Sequence, residues 1–166
     1  MKATQTSYRY RFSRASRLLK PSEFQAVFDA RKACRGQWLT VHRTAAVVDA
    51  EANAGSPAEI PKKIITADTT CRLGLIVAKR IVPSAARRNL IRRILREYFR
   101  TTPDAFPAGD WIVRLHDSPF PSPARVRKGA PIPTRWQVVS SLRNDLTQIL
   151  KRIAAQTRKE GAARGA

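Results

Sequence analysis

Between Leu73 and Ala78 the chain alternates with a period of two: Leu73, Leu75 and Val77 stand on one side, Gly74, Ile76 and Ala78 on the other. That alternation predicts a strand. After Lys79, Arg80 and a break at Pro83, with Ser84 in place as a cap, the period lengthens to that of a helix. From Ala85 to Arg100, at about 100° per residue, Leu90, Ile91, Ile94, Leu95 and Tyr98 fall on one arc. Arg88, Asn89, Arg92, Arg93, Arg96 and Arg100 fall on the opposite arc.

The same reading places the other elements. Lys20-Pro21-Ser22-Glu23 is a helix start, with Pro and a capping Ser together. Phe24, Val27, Phe28 and Arg31 follow it at i, i+3, i+4 and i+7, so both phenylalanines share one face. Trp38 to Val48, rich in β-branched and aromatic residues, predicts a strand. So does the apolar run Trp111–Leu115. A helix lies before it, which predicts pairing parallel to Arg72–Ala78 through a crossover. Val139, Leu142, Leu146, Ile149, Leu150 and Ile153 form an apolar stripe that predicts a last helix over Trp136–Ala155. Two stretches break the pattern. Residues 49–70 contain Gly55-Ser56-Pro57, with Lys63–Thr66 the one candidate strand, and residues 117–134 contain five prolines. Loops this long are uncommon inside a compact domain and read as insertions. The organisation expected is a flexible basic arm (1–16), a single domain (17–155) carrying both insertions, and a disordered tail (156–166).

Charge changes the picture. The chain carries 32 Lys and Arg against 12 Asp and Glu, a formal charge of +20 over 166 residues. Solubility asks only for a magnitude of about 2–8 on a small domain, and a larger surplus repels itself unless something neutralises it. From Lys79 to Arg100 the single acid is Glu97. A solvated helix face usually mixes Glu with Lys; this one favours Arg, whose planar fork suits phosphate. An external polyanion, nucleic acid, accounts for it best. An anionic membrane fits less well, because the basic helix carries Leu and Ile rather than a Trp-rich insertion face. No apolar run approaches the ~20 residues of a membrane span. The basic N-terminus lacks the apolar core of a secretory signal and, despite its Arg and Ser content, the amphipathicity of a transit peptide. A cytoplasmic location is expected.

Candidate catalytic chemistry is sparse. There is no Gly-rich phosphate loop, no HExxH, and no recognised nucleophile motif. The acids are scattered, whereas a two-metal nuclease needs them clustered. Cys34 and Cys71 are too few for a zinc site or a disulfide framework. His42 has no second His or acid at ligand spacing and reads as a paired or exposed strand histidine rather than a metal ligand. Gly74 reads as a close backbone approach. The chain is built to bind RNA or DNA, not to cut it unaided.

Three segments, in order, resemble one family. Residues 18–33 (LLKPSEFQAVFDARKA) look like the opening helix of the bacterial ribonuclease P protein subunit. Residues 72–100 (RLGLIVAKRIVPSAARRNLIRRILREYFR) look like its central signature, and GDWIVRL (109–115) with the C-terminal helix matches the remainder. The resemblance implies an α/β (α+β) two-layer sandwich of order αβββαβα, like the second domain of ribosomal protein S5. It also implies a mixed sheet and a left-handed crossover, against the right-handed form found in about 98% of cases. It implies that the catalyst is a large RNA subunit holding Mg²⁺, which removes the 5′ leader of precursor tRNA. The protein alone would be inactive and would need no protein partner and no membrane. By position, Phe24 and Phe28 would line the cleft for the single-stranded leader. Lys79, Arg80, Arg88, Asn89, Arg92, Arg93 and Arg96 would face the catalytic RNA.

The family's Arg-Asn-Arg reads Arg88-Asn89-Leu90 here, so Arg87 or Arg93 would have to supply the second charge. Both insertions and the arm before Ser16 lie outside the family's compact core. A non-enzymatic ribosomal or architectural RNA-binding protein is the alternative that composition alone leaves open, and a self-sufficient metal-dependent nuclease is disfavoured by the scattered acids.

Overall fold

A computed structural model describes residues 12–44 and 71–164 of the chain. Helix α1 (Pro21–Asp29) leads into strands β1 (Lys32–Arg35) and β2 (Leu39–Arg43). Strand β3 (Cys71–Ile76) and helix α2 (Ala85–Thr101) follow, with a 3-10 turn at Pro103–Ala105 before β4 (Gly109–Leu115). A short helix α3 (Pro123–Arg127) and the long α4 (Arg135–Arg164) complete the order αβββαβα with one small helix added.

The four strands lie in the order β1-β2-β4-β3. The β3–β4 pair is parallel, with Leu73 opposite Trp111, as the intervening helix predicts. The β1–β2 and β2–β4 pairs are antiparallel. Strand alternation sends Leu39, Val41, Leu73, Trp111, Val113 and Leu115 to one face, where they form a single core with Ile91, Ile94 and Leu95 of α2 and Leu142, Leu146 and Ile149 of α4. Helix α1 lies on the other face, where Val27 meets Leu18 and Ile112.

Several local expectations change. The first helix ends at Asp29 instead of running through residue 33. Arg31 adopts φ +51°, left-handed backbone that reverses the chain and frees Lys32–Arg35 to become an edge strand. Ser22 does not cap α1. Lys20 holds the cap position, and the Glu23 carboxylate accepts from the N–H groups of Leu19 (2.8 Å) and Lys20 (3.0 Å). Ser84 does cap α2, accepting from the Arg87 N–H at 3.4 Å.

Part of the expected N-terminal arm is docked. The Phe12 ring stands edge-on to Phe99 with centroids 5.6 Å apart, and the Leu73 N–H donates to the Ser16 carbonyl at 2.9 Å. Residues 12–16 therefore belong to the fold; residues 1–11 lie outside the described residues, as does 45–70 with the candidate strand Lys63–Thr66. At the other end α4 continues to Arg164, through most of the expected disordered tail. Gln, Arg, Lys, Glu and Ala there are good helix formers, enough to extend an existing helix without an apolar stripe. On α4 it is Val138 (1% exposed), not Val139, that is fully buried.

One long-range clamp fixes the β1–β2 hairpin. The Asp145 carboxylate of α4 accepts from the N–H groups of Gln37 (2.7 Å), Trp38 (2.8 Å) and Leu39 (2.9 Å). Gly36 is required beside it, since a Cβ there would stand 2.1 Å from Asp145 Oδ1.

Candidate nucleic-acid interface

The α1 face of the sheet is covered unevenly. Strand register aligns Ala33, His42, Ile112 and Gly74 in one row across it, and α1 lies over this row. Phe24 packs on Gly74, where a Cβ would come within 2.6 Å of the ring. The glycine is thus the close approach expected from sequence. Phe28 stands edge-on to His42, centroids 4.8 Å apart. Val27 between them is fully buried, whereas both phenylalanines are half-buried and keep part of each ring at the surface. They are at once core and rim.

The neighbouring row, Arg35, Thr40, Arg114 and Ile76, continues beyond α1. His116 joins it, accepting from Arg35 Nε at 3.2 Å and sharing a 3.1 Å hydrogen bond with Thr40 Oγ1. Because Nε2 accepts, the neutral ring carries its proton on Nδ1 and donates it to Thr40. Arg114 has no hydrogen bond or ion pair among the described residues. Its charge, after burial, is the second cause of the lowered pKa of His42, whose Nε2 is buried without a partner. The strip beside the phenylalanine rings is therefore polar and cationic.

A salt-bridge network sets α1 at its angle. Arg72 of β3 donates to both oxygens of Asp110 on β4 (2.7 and 2.5 Å) and to Glu23 of α1 at 2.7 Å. Hydrogen bonds from the Lys20 and Leu19 backbone, then Arg72, hold the Glu23 carboxyl down to about 2. The network ties the start of α1 to both parallel strands and so positions Phe24.

Around the β3 edge lies the basic face of α2. Lys79 and Arg80 are exposed in the turn after β3, and Asn89, Arg93 and Arg96 are exposed along the helix. Arg88 and Arg92 are half-buried. Arg88 Nη1 donates to the carbonyls of Val82 (3.0 Å) and Pro83 (2.5 Å), bracing the loop that leads into the helix. Arg92 reaches Asn89 Oδ1 (3.3 Å) and the Val77 carbonyl (3.5 Å). Partial desolvation where the side chain lies against the protein, then the like charges of Arg17 and Arg92, lower the Arg96 pKa. Arg17, which sequence reading left in the background, thus extends the row; it bridges to β3 at Leu73 and lies over the Phe12 ring. Arg87 points elsewhere, to the Phe120 ring. Of the two candidates to replace the family's second arginine, only Arg93 shares the exposed arc with Asn89.

Among the described residues no group of three or more His, Cys, Asp or Glu side chains is placed to hold a metal ion. No helix among them is long and apolar enough to cross a membrane.

Residues 12–154 match the family model described as Ribonuclease P. The chain belongs to the ribonuclease P protein family. The ribonuclease P protein component of Azoarcus sp. (strain BH72) is 40% identical over 106 residues, covering 64% of this chain and 72% of that one. That of Bordetella avium (strain 197N) is 37% identical over 106 residues, covering 64% and 73%. Among solved structures, the Staphylococcus aureus RNase P protein superposes with a TM-score of 0.53 at 24% identity, over 84% of this chain and 96% of that one. A mutant of the S. aureus protein with defective mRNA degradation activity gives 0.57 at 20% identity, over 91% and 98%. These structures bear on the fold, which is the mixed α/β arrangement of the ribonuclease P protein. Family membership carries a general role in RNA binding and tRNA processing.

Proposed function

We propose that this chain is the protein subunit of a ribonucleoprotein ribonuclease P, acting in the cytoplasm. In this reading a catalytic RNA holds the Mg²⁺ ions and cleaves precursor tRNA. The protein binds that RNA through Lys79, Arg80, Arg88, Asn89, Arg92, Arg93 and Arg96, with Arg17 added, and receives the single-stranded 5′ leader against Phe24 and Phe28. The observation that carries it is the pair of half-exposed phenylalanine rings beside an open cationic strip, with a basic helix on the other side of the same edge strand. Unpaired bases stack on aromatic faces while neighbouring cations meet the phosphates. Double-stranded RNA offers no such unstacked bases.

The chemistry is left to the RNA. The chain's part is to neutralise crowded phosphates and to fix the leader relative to the cleavage site. Reconstitution tests this: purified protein, catalytic RNA and a precursor tRNA, assayed as Mg²⁺ is lowered. The protein should extend cleavage to lower Mg²⁺ and show no cleavage by itself. Metal-dependent cleavage by rigorously RNA-free protein would overturn the reading. Binding to structured RNA without any stimulation of cleavage would leave an architectural RNA-binding role in its place.

A further inference from the structure

The segment between β4 and α4, read from the sequence as an irregular insertion, is built. Phe120 packs against the main core, with the Arg87 guanidinium 4.7 Å from its ring centroid. Ser118 accepts from the Phe120 N–H at 3.1 Å, and Asp117 from the Ser118 N–H at 2.7 Å. Ser122 caps α3 by accepting from the Arg125 N–H at 3.4 Å. The helix stops at Arg127; past the cap, Gly129 turns the chain at φ +84° and the Ala130 N–H returns to the Arg125 carbonyl at 2.9 Å. Thr134 and Gln137 then cap α4 reciprocally, at 2.7 and 3.3 Å.

What this scaffold presents is one-sided. Between Asp117 and Asp145 the sequence has no Asp or Glu. Arg125, Arg127, Lys128 and Arg135 are all exposed, and none of their side chains has a hydrogen-bond or ion-pair partner among the described residues. Beside them in sequence, Trp136 is 72% exposed in the first turn of α4, and Ile132 is 55% exposed. An exposed indole next to cationic side chains in an acid-free stretch offers a stacking face beside groups that suit phosphate.

We infer that residues 117–136 form a second RNA-docking surface, in which the cations contact phosphates and Trp136 stacks on an unpaired base. An acidic protein partner would satisfy the cations, but Arg87 links this segment to α2, the helix already read as facing RNA. It packs against the α2 and α4 side of the sheet, whereas Phe24 and Phe28 occupy the opposite face. The surface is therefore separate from the leader cleft, and the catalytic RNA is the partner it fits. The inference rests on the reading of the chain as an RNA-binding subunit.

The test uses the full-length protein with catalytic RNA alone and with precursor and mature tRNA on the reconstituted complex. Trp136→Ala should weaken binding of the catalytic RNA roughly 5- to 100-fold, the range seen for loss of one base stack, with the salt slope unchanged. Trp136→Phe should recover most of the loss and Trp136→Leu should not; equal recovery by both would assign the indole a merely structural role. The triple variant Arg125→Ala, Arg127→Ala, Lys128→Ala should make the slope of log K against log[salt] shallower by about 2–3, from about 0.7–0.9 per phosphate contact. The precursor-to-mature affinity ratio should not move. Loss confined to tRNA affinity, equal for precursor and mature forms, would overturn the catalytic RNA as the occupant and put the tRNA body in its place. Wild-type affinity and slope in both variants would overturn the inference, as would normal RNA binding with loss of a protein partner. Failure of the wild-type protein to bind catalytic RNA would instead remove the functional reading beneath it.

Discussion

Phe24 and Phe28 answer to two demands. Each helps fill the satellite core around Val27 and Ile112, and each keeps part of its ring at the surface. Phe→Leu at either position keeps most of the apolar volume and removes the aromatic face. Where a base stacks, the expected loss is about 1–3 kcal/mol. The precursor-to-mature tRNA affinity ratio of the reconstituted complex should then fall roughly 5- to 100-fold, with thermal melts unchanged within a few degrees. A ratio that stays constant in both variants would make the rings core residues only. His42 beneath Phe28 makes a separate prediction. Burial and Arg114 lower its pKa, so in the folded state it stays neutral where the unfolded chain takes up a proton. Stability should accordingly fall as pH drops through about 6.5 and level off below the folded pKa. His42→Phe should remove that part of the slope in denaturant titrations at constant ionic strength between pH 7.5 and 5.5; an undiminished slope would assign it to other groups.

At the scale of elements, legibility followed the kind of signal. Strand β3 and helix α2 were readable because the period of the apolar residues changes at Pro83. The parallel β3–β4 pairing was readable because a helix separates the strands. Gly74 was readable as a close approach, though only the structure shows that the approaching group is Phe24. Strand β1 was not. Its four residues are too few to set a period, and its start depends on a left-handed Arg31. Nor were Arg17, Arg114 and His116: each reaches the site through strand register or a neighbouring helix, which no local pattern reports. The Asp145 clamp is of the same kind, joining α4 to a hairpin far away in sequence. Asp145→Ala would strand three backbone donors. It should destabilise the protein by on the order of 2–4 kcal/mol, read as a fall in melting temperature, while the folded fraction binds RNA normally. An unchanged melting temperature would mean the clamp contributes nothing net.

Taken whole, the molecule is a small sheet with cations around it. At +20 a polyanion would relieve its self-repulsion, and among the described residues the side chains of Arg125, Arg127 and Arg135 are exposed without an acidic partner. If roughly 5–8 basic side chains reach phosphates, log K for the catalytic RNA should fall against log[salt] with a slope on the order of −4 to −7. A flat response would mean that the surplus charge serves something other than nucleic acid.

The clamp from Asp145 also bears on the order in which the chain can become a protein. Gln37 leaves the ribosome 108 residues ahead of the carboxylate that holds it. Strand β4, which fills the space between β2 and β3, emerges only after both of them. No contiguous part of the sheet beyond the first hairpin can therefore close during early synthesis. The sheet is expected to close only once α4 has supplied Asp145 and its apolar stripe. A fragment ending at residue 140 should lack cooperative unfolding by calorimetry even though it contains all four strands and both faces of the candidate interface; a sharp transition in that fragment would show that the sheet closes without its last helix.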